Sequence, residues 1–316
     1  DGIRNLASAA NVGDKEFLSM EALTSASDHP VWYEALREIN MNLSDGINRI
    51  ILHGIPFTKS YTDVNNEWPG WTFMSYGCWA PRQPFWEDMD LMSNYFARIQ
   101  SVTQEGTVKI PVAIMNDKTK SFQCLNGTMF PTLLNNGYTY NILSEAVLED
   151  EGAIAENGVL CPDTAGYQVL VLKEVNSMSC ETLEKIIGFA NAGVKIVSYN
   201  SNPTSVYGTE KADNSDAKLQ ELYAKLQTNA NFKAVTTEEE LLAYLDSCDI
   251  ETGASYDQEG LEVTHVKDSA DDTNYYFFFN EHNIGEDPSG GMGIGSDFSK
   301  ADYQPIETTV TLEGEG

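Results

Sequence analysis

Two polar side chains stand where short apolar runs end: Glu21 in Ser19-Met20-Glu21-Ala22-Leu23-Thr24-Ser25, and His53 in Ile51-Leu52-His53-Gly54. A carboxyl partly desolvated at a strand's carboxyl end is kept protonated and can donate to a leaving oxygen. With a second carboxylate opposite, that is the chemistry of acetal cleavage between sugars. Glu21 is the candidate for this work. The alternative is a strand-end Glu that caps a loop or forms an ion pair. An imidazole at His53 can donate a hydrogen bond to a sugar hydroxyl, or be a satisfied structural histidine. Gly54-Ile55-Pro56 beside it fits a close backbone approach under either reading.

Four of the five tryptophans, Trp68, Trp71, Trp79 and Trp86, fall within one segment without helical or strand period, residues 54–85, and at its exit. Sugar rings present C–H faces that pack on aromatic planes, and their hydroxyls need planar polar partners. Trp68, Trp71, Arg82 and Trp86 are therefore the candidate substrate contacts, with Gln83 beside them. The alternative is a set of aromatic anchors that hold a long loop down. Asp63, Asn65, Asn66 and Glu67 are rich in oxygen but lack the spacing of an EF-hand loop. The run Gly290-Gly291-Met292-Gly293-Ile294-Gly295 does not join a strand to a helix with a following Lys-Ser/Thr, so it makes no phosphate loop.

The elements that position these residues follow from periodicity. Glu16–Met20 reads as a strand, preceded by a helix end over residues 4–13 that stops at Gly13. Val31, Ala35, Leu36, Ile39 and Leu43 recur at helical spacing over residues 31–44, and Asn48–Leu52 then reads as a buried strand. A helix over 86–104 leads to one strand, Val108–Met115. This β-α-β-loop-α-β order has strands hydrophobic almost throughout, as in parallel sheets covered on both faces. It reads as the C-terminal part of a (β/α)8-type barrel over residues 1–117, whose other strands would precede residue 1. Residues 118–250 read as a flavodoxin-like (amidotransferase-like) α/β domain. Its clearest unit is strand 167–172, a helix from Glu181 to Ala192 capped by Ser179 or Ser177, and strand 194–199; helices at 215–227 and 237–247 complete it. This unit has no nucleophile elbow and no dinucleotide fingerprint. Residues 251–316 read as the start of an antiparallel β-sandwich, with strands at 261–266, 274–280 and 308–312.

Composition narrows the partners. The 316 residues carry 48 acidic against 19 basic side chains, a net charge of −29. That excludes a nucleic-acid binder, which needs clustered Lys and Arg, and disfavours anionic membrane surfaces. No apolar run reaches the length that spans a bilayer. Cys78, Cys124, Cys161, Cys180 and Cys248 contain no CxxC and an odd count, so neither a zinc site nor a disulfide framework is expected. The opening Asp1-Gly2-Ile3-Arg4 lacks an initiator Met and points to a mature form or a fragment.

Taken together, these blocks resemble a known family. Leu6-Ala7-Ser8-Ala9-Ala10, Gly13-Asp14-Lys15, Ser19 to Ser25, Gly46-Ile47-Asn48-Arg49, His53-Gly54, Trp68-Pro69-Gly70, Trp86, Tyr95, Arg98, Gln100 and Gly106 are similar in kind and order to the glycoside hydrolase family 106 α-L-rhamnosidases. So are Gly166 to Leu172, the Glu181-Thr182-Leu183-Glu184-Lys185 helix, Ala192-Gly193-Val194-Lys195 and Tyr276 to Asn280. The resemblance implies an inverting, Ca²⁺-dependent hydrolase that removes terminal rhamnose from plant or bacterial glycans. It implies Glu catalysts in a barrel, an extracellular or cell-surface location in bacteria, and a longer parent chain with further domains. By motif, Glu21 matches a catalytic-type Glu and His53 a sugar-contacting His. The second carboxylate and the metal ligands stay unassigned. Asn11 and Asn141 depart from the pattern, which has His at the first position and commonly an acid at the second. Two other readings stay open: a non-catalytic carbohydrate-binding protein, and another exo-glycosidase such as a β-galactosidase-like enzyme.

Overall fold

The computed structural model describes residues 2–23, 32–55, 79, 81, 83–116, 128–268, 270–285 and 302–312. The chain begins with α1 (Gly2–Val12), β1 (Ser19–Ala22), α2 (Trp32–Ser44) and β2 (Arg49–Leu52). A 3-10 turn at Trp86–Asp88 then runs into α3 (Met89–Glu105), followed by β3 (Thr107–Lys109) and β4 (Val112–Asn116). β1 and β2 pair in parallel with Glu21 opposite Ile51. Strand alternation puts Met20, Ala22, Ile50 and Leu52 on one face. There they pack with Ala35, Ile39 and Leu43 of α2 and Met92 and Phe96 of α3. The other face carries Ser19, Glu21, Arg49 and Ile51, all exposed. Burial of these strands on both faces was the expectation. The pair is covered on one face, and Ile51 is half exposed on the other.

The run 108–115, expected as one strand, is two. Ile110-Pro111 separates β3 from β4, and the two halves join different sheets. After β4 come α4 (Pro131–Asn135), β5 (Tyr140–Leu143), α5 (Glu145–Glu149), the hairpin strands β6 (Ala155–Glu156) and β7 (Val159–Leu160), and β8 (Val169–Lys173). The chain continues through α6 (Cys180–Asn191), β9 (Lys195–Tyr199), α7 (Gly208–Ala212), α8 (Asp216–Gln227), β10 (Phe232–Val235) and α9 (Glu238–Ser247). Five strands form one parallel sheet in the order β10-β9-β8-β4-β5. Numbered by their own succession this is 2-1-3-4-5, the flavodoxin-like order. The expected boundary at 117 therefore falls after the first strand of this sheet, because β4 pairs with β5 and β8. One sheet face is buried under α6 and α8, the other under α4 and α9. As expected, the Ser179 side chain caps α6 by accepting the Thr182 N–H.

The last described elements are β11 (Ala254–Ser255), β12 (Leu261–Lys267), β13 (Asn274–Asn280) and β14 (Thr311–Leu312). β12 lies antiparallel between β13 and β3, and β11 pairs antiparallel with β14. The β-rich tail is thus stitched to the segment ahead of the parallel sheet. Cys161 and Cys180 are buried free thiols. No helix among the described residues is long and apolar enough to cross a membrane.

Candidate active site

The parallel register of β1 and β2 brings Glu21 and His53 to the same open face and the same end. His53 Nε2 stands 3.8 Å from Glu21 Oε1, with the two side chains 33% and 63% exposed. The backbone prolongs the ladder past the strands: the His53 N–H donates to Ala22 O at 3.0 Å, and the Trp79 N–H donates to Gly54 O at 3.1 Å. The His53–Gly54 peptide bond is cis. Leu23, next after Ala22, lies in the left-handed region at φ 63°. A non-glycine residue in that region is a strained conformation of the kind that gathers at functional sites.

An aromatic cluster supports this end of the strands. Trp79 is 1% exposed. Its ring meets Phe85 at 5.5 Å, and Trp32 of α2 meets the same Phe85 edge-on at 5.9 Å. Trp79 is therefore an anchor and not a sugar platform. Trp86 is half-buried in the turn that opens α3. Trp68, Trp71 and Arg82 lie outside the described residues, as do Asp63, Asn65, Asn66 and Glu67.

Sequence reasoning did not find how α3 holds β2. Gln100 Oε1 accepts the Ile50 N–H at 2.7 Å, and Gln104 Nε2 donates to Asn48 O at 2.6 Å. Tyr95 OH donates to Asn40 Oδ1 of α2 at 3.0 Å. Two of these residues, Tyr95 and Gln100, belong to the blocks that carried the resemblance: Gln100 fixes the strand that leads to His53, and Tyr95 ties α3 to α2. The available signal was their spacing on the polar flank of an amphipathic helix.

A cavity of about 360 Å³ lies at the amino ends of β1 and β2, lined by Asn11, Lys15, Asn48, Gln104 and Thr264 among others. It is at the opposite end from Glu21 and His53. Among the described residues no three His, Cys, Asp or Glu side chains gather as a metal centre.

Residues 1–290 match the profile of glycoside hydrolase family 106, described as alpha-L-rhamnosidase. The chain belongs to this family. The resemblance read from its sequence blocks is borne out. The rhamnosidase from Novosphingobium sp. PP1Y superposes with a TM-score of 0.69 at 18% identity, over 90% of this chain and 28% of that one. A protein of Formosa agariphila named "Putative beta-glucuronidase" is 24% identical over 230 residues, which is 70% of this chain and 18% of that protein. A family 42 exo-carrageenase from Bacteroides ovatus gives a weaker likeness, with a TM-score of 0.44 at 12% identity over 94% of this chain and 40% of that one. The family 106 chain described here therefore spans well under half the length of these relatives.

Proposed function

We propose that this chain supplies part of the active centre of a glycosidase that removes terminal α-L-rhamnose from glycans, acting outside the cell or at its surface. Glu21 is its catalytic carboxylate and His53 its neighbour at the sugar. In this reading β1 and β2 are adjacent strands of a (β/α)8 barrel. Their helix-covered face looks outward, and the face with Glu21, Arg49, Ile51 and His53 lines the lumen. Carboxyl ends of barrel strands are where such enzymes carry their chemistry. The observation that carries the proposal is the meeting of Glu21 and His53 at those ends, 3.8 Å apart.

The exposure of Glu21 favours one of two catalytic roles. The acid of an inverting pair must be kept protonated, which burial achieves. The base must be ionised when it meets water, and an open carboxylate suits that task. Glu21 then takes the proton from a water that attacks the anomeric carbon, while an acid roughly 6.5–9.5 Å away protonates the leaving oxygen.

The test is Glu21→Gln in the full-length polypeptide, assayed on an aryl α-L-rhamnoside with an aryl β-glucuronide alongside. We expect kcat to fall by about 10²–10⁴ with the melting temperature unchanged. Loss of the acidic limb of the pH–rate profile identifies the base; loss of the alkaline limb identifies the acid. Full activity in the variant would remove Glu21 from the mechanism. The contact with His53 also fits a non-catalytic sugar-binding rim. In that case the wild type turns over neither glycoside, and the variant loses only affinity for rhamnose.

A further inference from the structure

The strand pair turns Ser19, Glu21, Arg49 and Ile51 to its open face, and His53 follows at the strand end. Ile51 is the apolar member of this group. The parallel register makes it the direct partner of Glu21, and neighbouring strands lie about 4.8 Å apart. Half of Ile51 is open to solvent, whereas Ile50 and Leu52 on either side of it turn inward and pack in the core with α2 and α3. Two other apolar side chains lie near but are placed differently. Phe17 has the Arg49 guanidinium over its ring at 5.2 Å. Ile55 stands off the strand, beyond Gly54.

A branched aliphatic group set between a carboxylate, an imidazole and a guanidinium is matched by a ligand that is polar over most of its surface and apolar at one point. α-L-Rhamnose is such a ligand. It is a ring of hydroxyls whose C5 carries a methyl where the parent hexose, L-mannose, carries a hydroxymethyl. C5 is separated from the anomeric carbon only by the ring oxygen. A sugar whose anomeric carbon faces Glu21 therefore has its methyl within reach of the neighbouring strand. Against Ile51 that methyl gains burial. A hydroxymethyl in the same place would lose water without gaining a hydrogen bond.

We propose that Ile51 is a specificity-determining residue: its side chain receives the C5 methyl of rhamnose and disfavours the hydroxymethyl of L-mannose. The inference rests on the role proposed for Glu21 and names what selects the sugar at that carboxylate.

The test compares kcat/KM of the full-length polypeptide on an aryl α-L-rhamnoside and an aryl α-L-mannoside. Ile51→Thr keeps the branch at Cβ and replaces apolar surface by a hydroxyl. It should lower the rhamnoside-to-mannoside ratio about tenfold or more, with the melting temperature nearly unchanged. Ile51→Val, one methylene shorter, should lower it about three- to fourfold, and serves alone should the Thr variant not fold. An unchanged ratio would overturn the proposal. So would an equal loss on both glycosides with a lower melting temperature, which is the behaviour of a side chain packed among others inside a barrel. If the wild type hydrolyses neither glycoside, the catalytic reading of Glu21 fails, and calorimetry with free L-rhamnose and L-mannose still decides this one. A preference for rhamnose that Ile51→Thr reduces supports it; no preference, or no binding of either sugar, overturns it.

Discussion

Trp79 and Trp86 stand a few residues apart and differ in burial. Trp79 is enclosed by Phe85 and the strand core, with its backbone N–H tied to Gly54. Replacing it by Ala leaves a cavity under the rim and should cost about 3–5 kcal/mol, read as a drop in the urea midpoint. Trp86→Ala should leave the midpoint nearly unchanged. It should instead raise KM for an aryl rhamnoside about fivefold, the loss of one aromatic contact of about 1 kcal/mol. If Trp86→Ala unfolds the protein and leaves KM alone, its ring is an anchor too. Asn11 and Asn141 are the two positions where the resemblance leads one to expect a histidine and an acid, and the structure brings them together: Asn11 Nδ2 donates to Asn141 Oδ1 at 2.9 Å, and Tyr167 OH donates to the same oxygen at 2.8 Å. The two residues thus form one uncharged link between α1 and β5, away from the strand ends that carry Glu21 and His53. Their pairing was invisible in the sequence because 130 residues separate them.

At the scale of elements, local patterns were legible and long-range pairing was not. The helix at 31–44 followed from its apolar spacing, and α6 followed from its spacing together with its serine cap. The split of 108–115 did not, because Ile110 continues the apolar pattern and the partner of β3 is β12, far along the chain. β10 was missed for the opposite reason. It is an edge strand whose Lys233 and Ala234 face water, so Phe232-Lys233-Ala234-Val235 shows no buried run. Gly137 marks another such junction. It turns the chain from α4 into β5 at φ 83°, and a Cβ there would stand 2.1 Å from Ala254 O. Both the backbone conformation and the contact require glycine. Gly137→Ala should destabilise the protein by about 2–4 kcal/mol, combining overpacking with left-handed strain. Proteolysis near residues 254–255 should appear at lower urea concentration than in wild type. Equal stability would mean that the 254 segment moves aside without cost.

Across the whole molecule, charges gather where the strand pair, the parallel sheet and the β-rich tail meet. Arg4 of α1, 4% exposed, reaches Asp45 Oδ1 at 2.8 Å beyond α2 and Glu262 Oε2 at 3.0 Å on β12. Its guanidinium also stands 5.3 Å from the Tyr140 ring centre on β5. Ser44 Oγ donates to the same Glu262 oxygen at 2.9 Å. Next to this group Arg37 of α2 approaches Glu281 at 3.6 Å beyond β13 and lies over the Tyr303 ring at 3.4 Å. Burial raises the Glu281 carboxyl from 4.5 to about 7; the Glu262 charge adds to the rise and Arg37 opposes it. Between those two values the folded chain binds more protons at Glu281 than the unfolded chain. Its contribution to stability is therefore complete below about pH 4.5 and is lost as pH rises through about 7. A third of the Glu281 side chain stays open to water, so screening should reduce the effect to about 1–2 kcal/mol. Glu281→Gln mimics the protonated acid and removes that dependence. In urea unfolding, the variant should match wild type near pH 4.5 and exceed it by about 1–2 kcal/mol near pH 8. A wild-type advantage at pH 8 would reverse the sign. It would mean that the ionised Glu281–Arg37 pair, and not the neutral acid, holds the tail against α2.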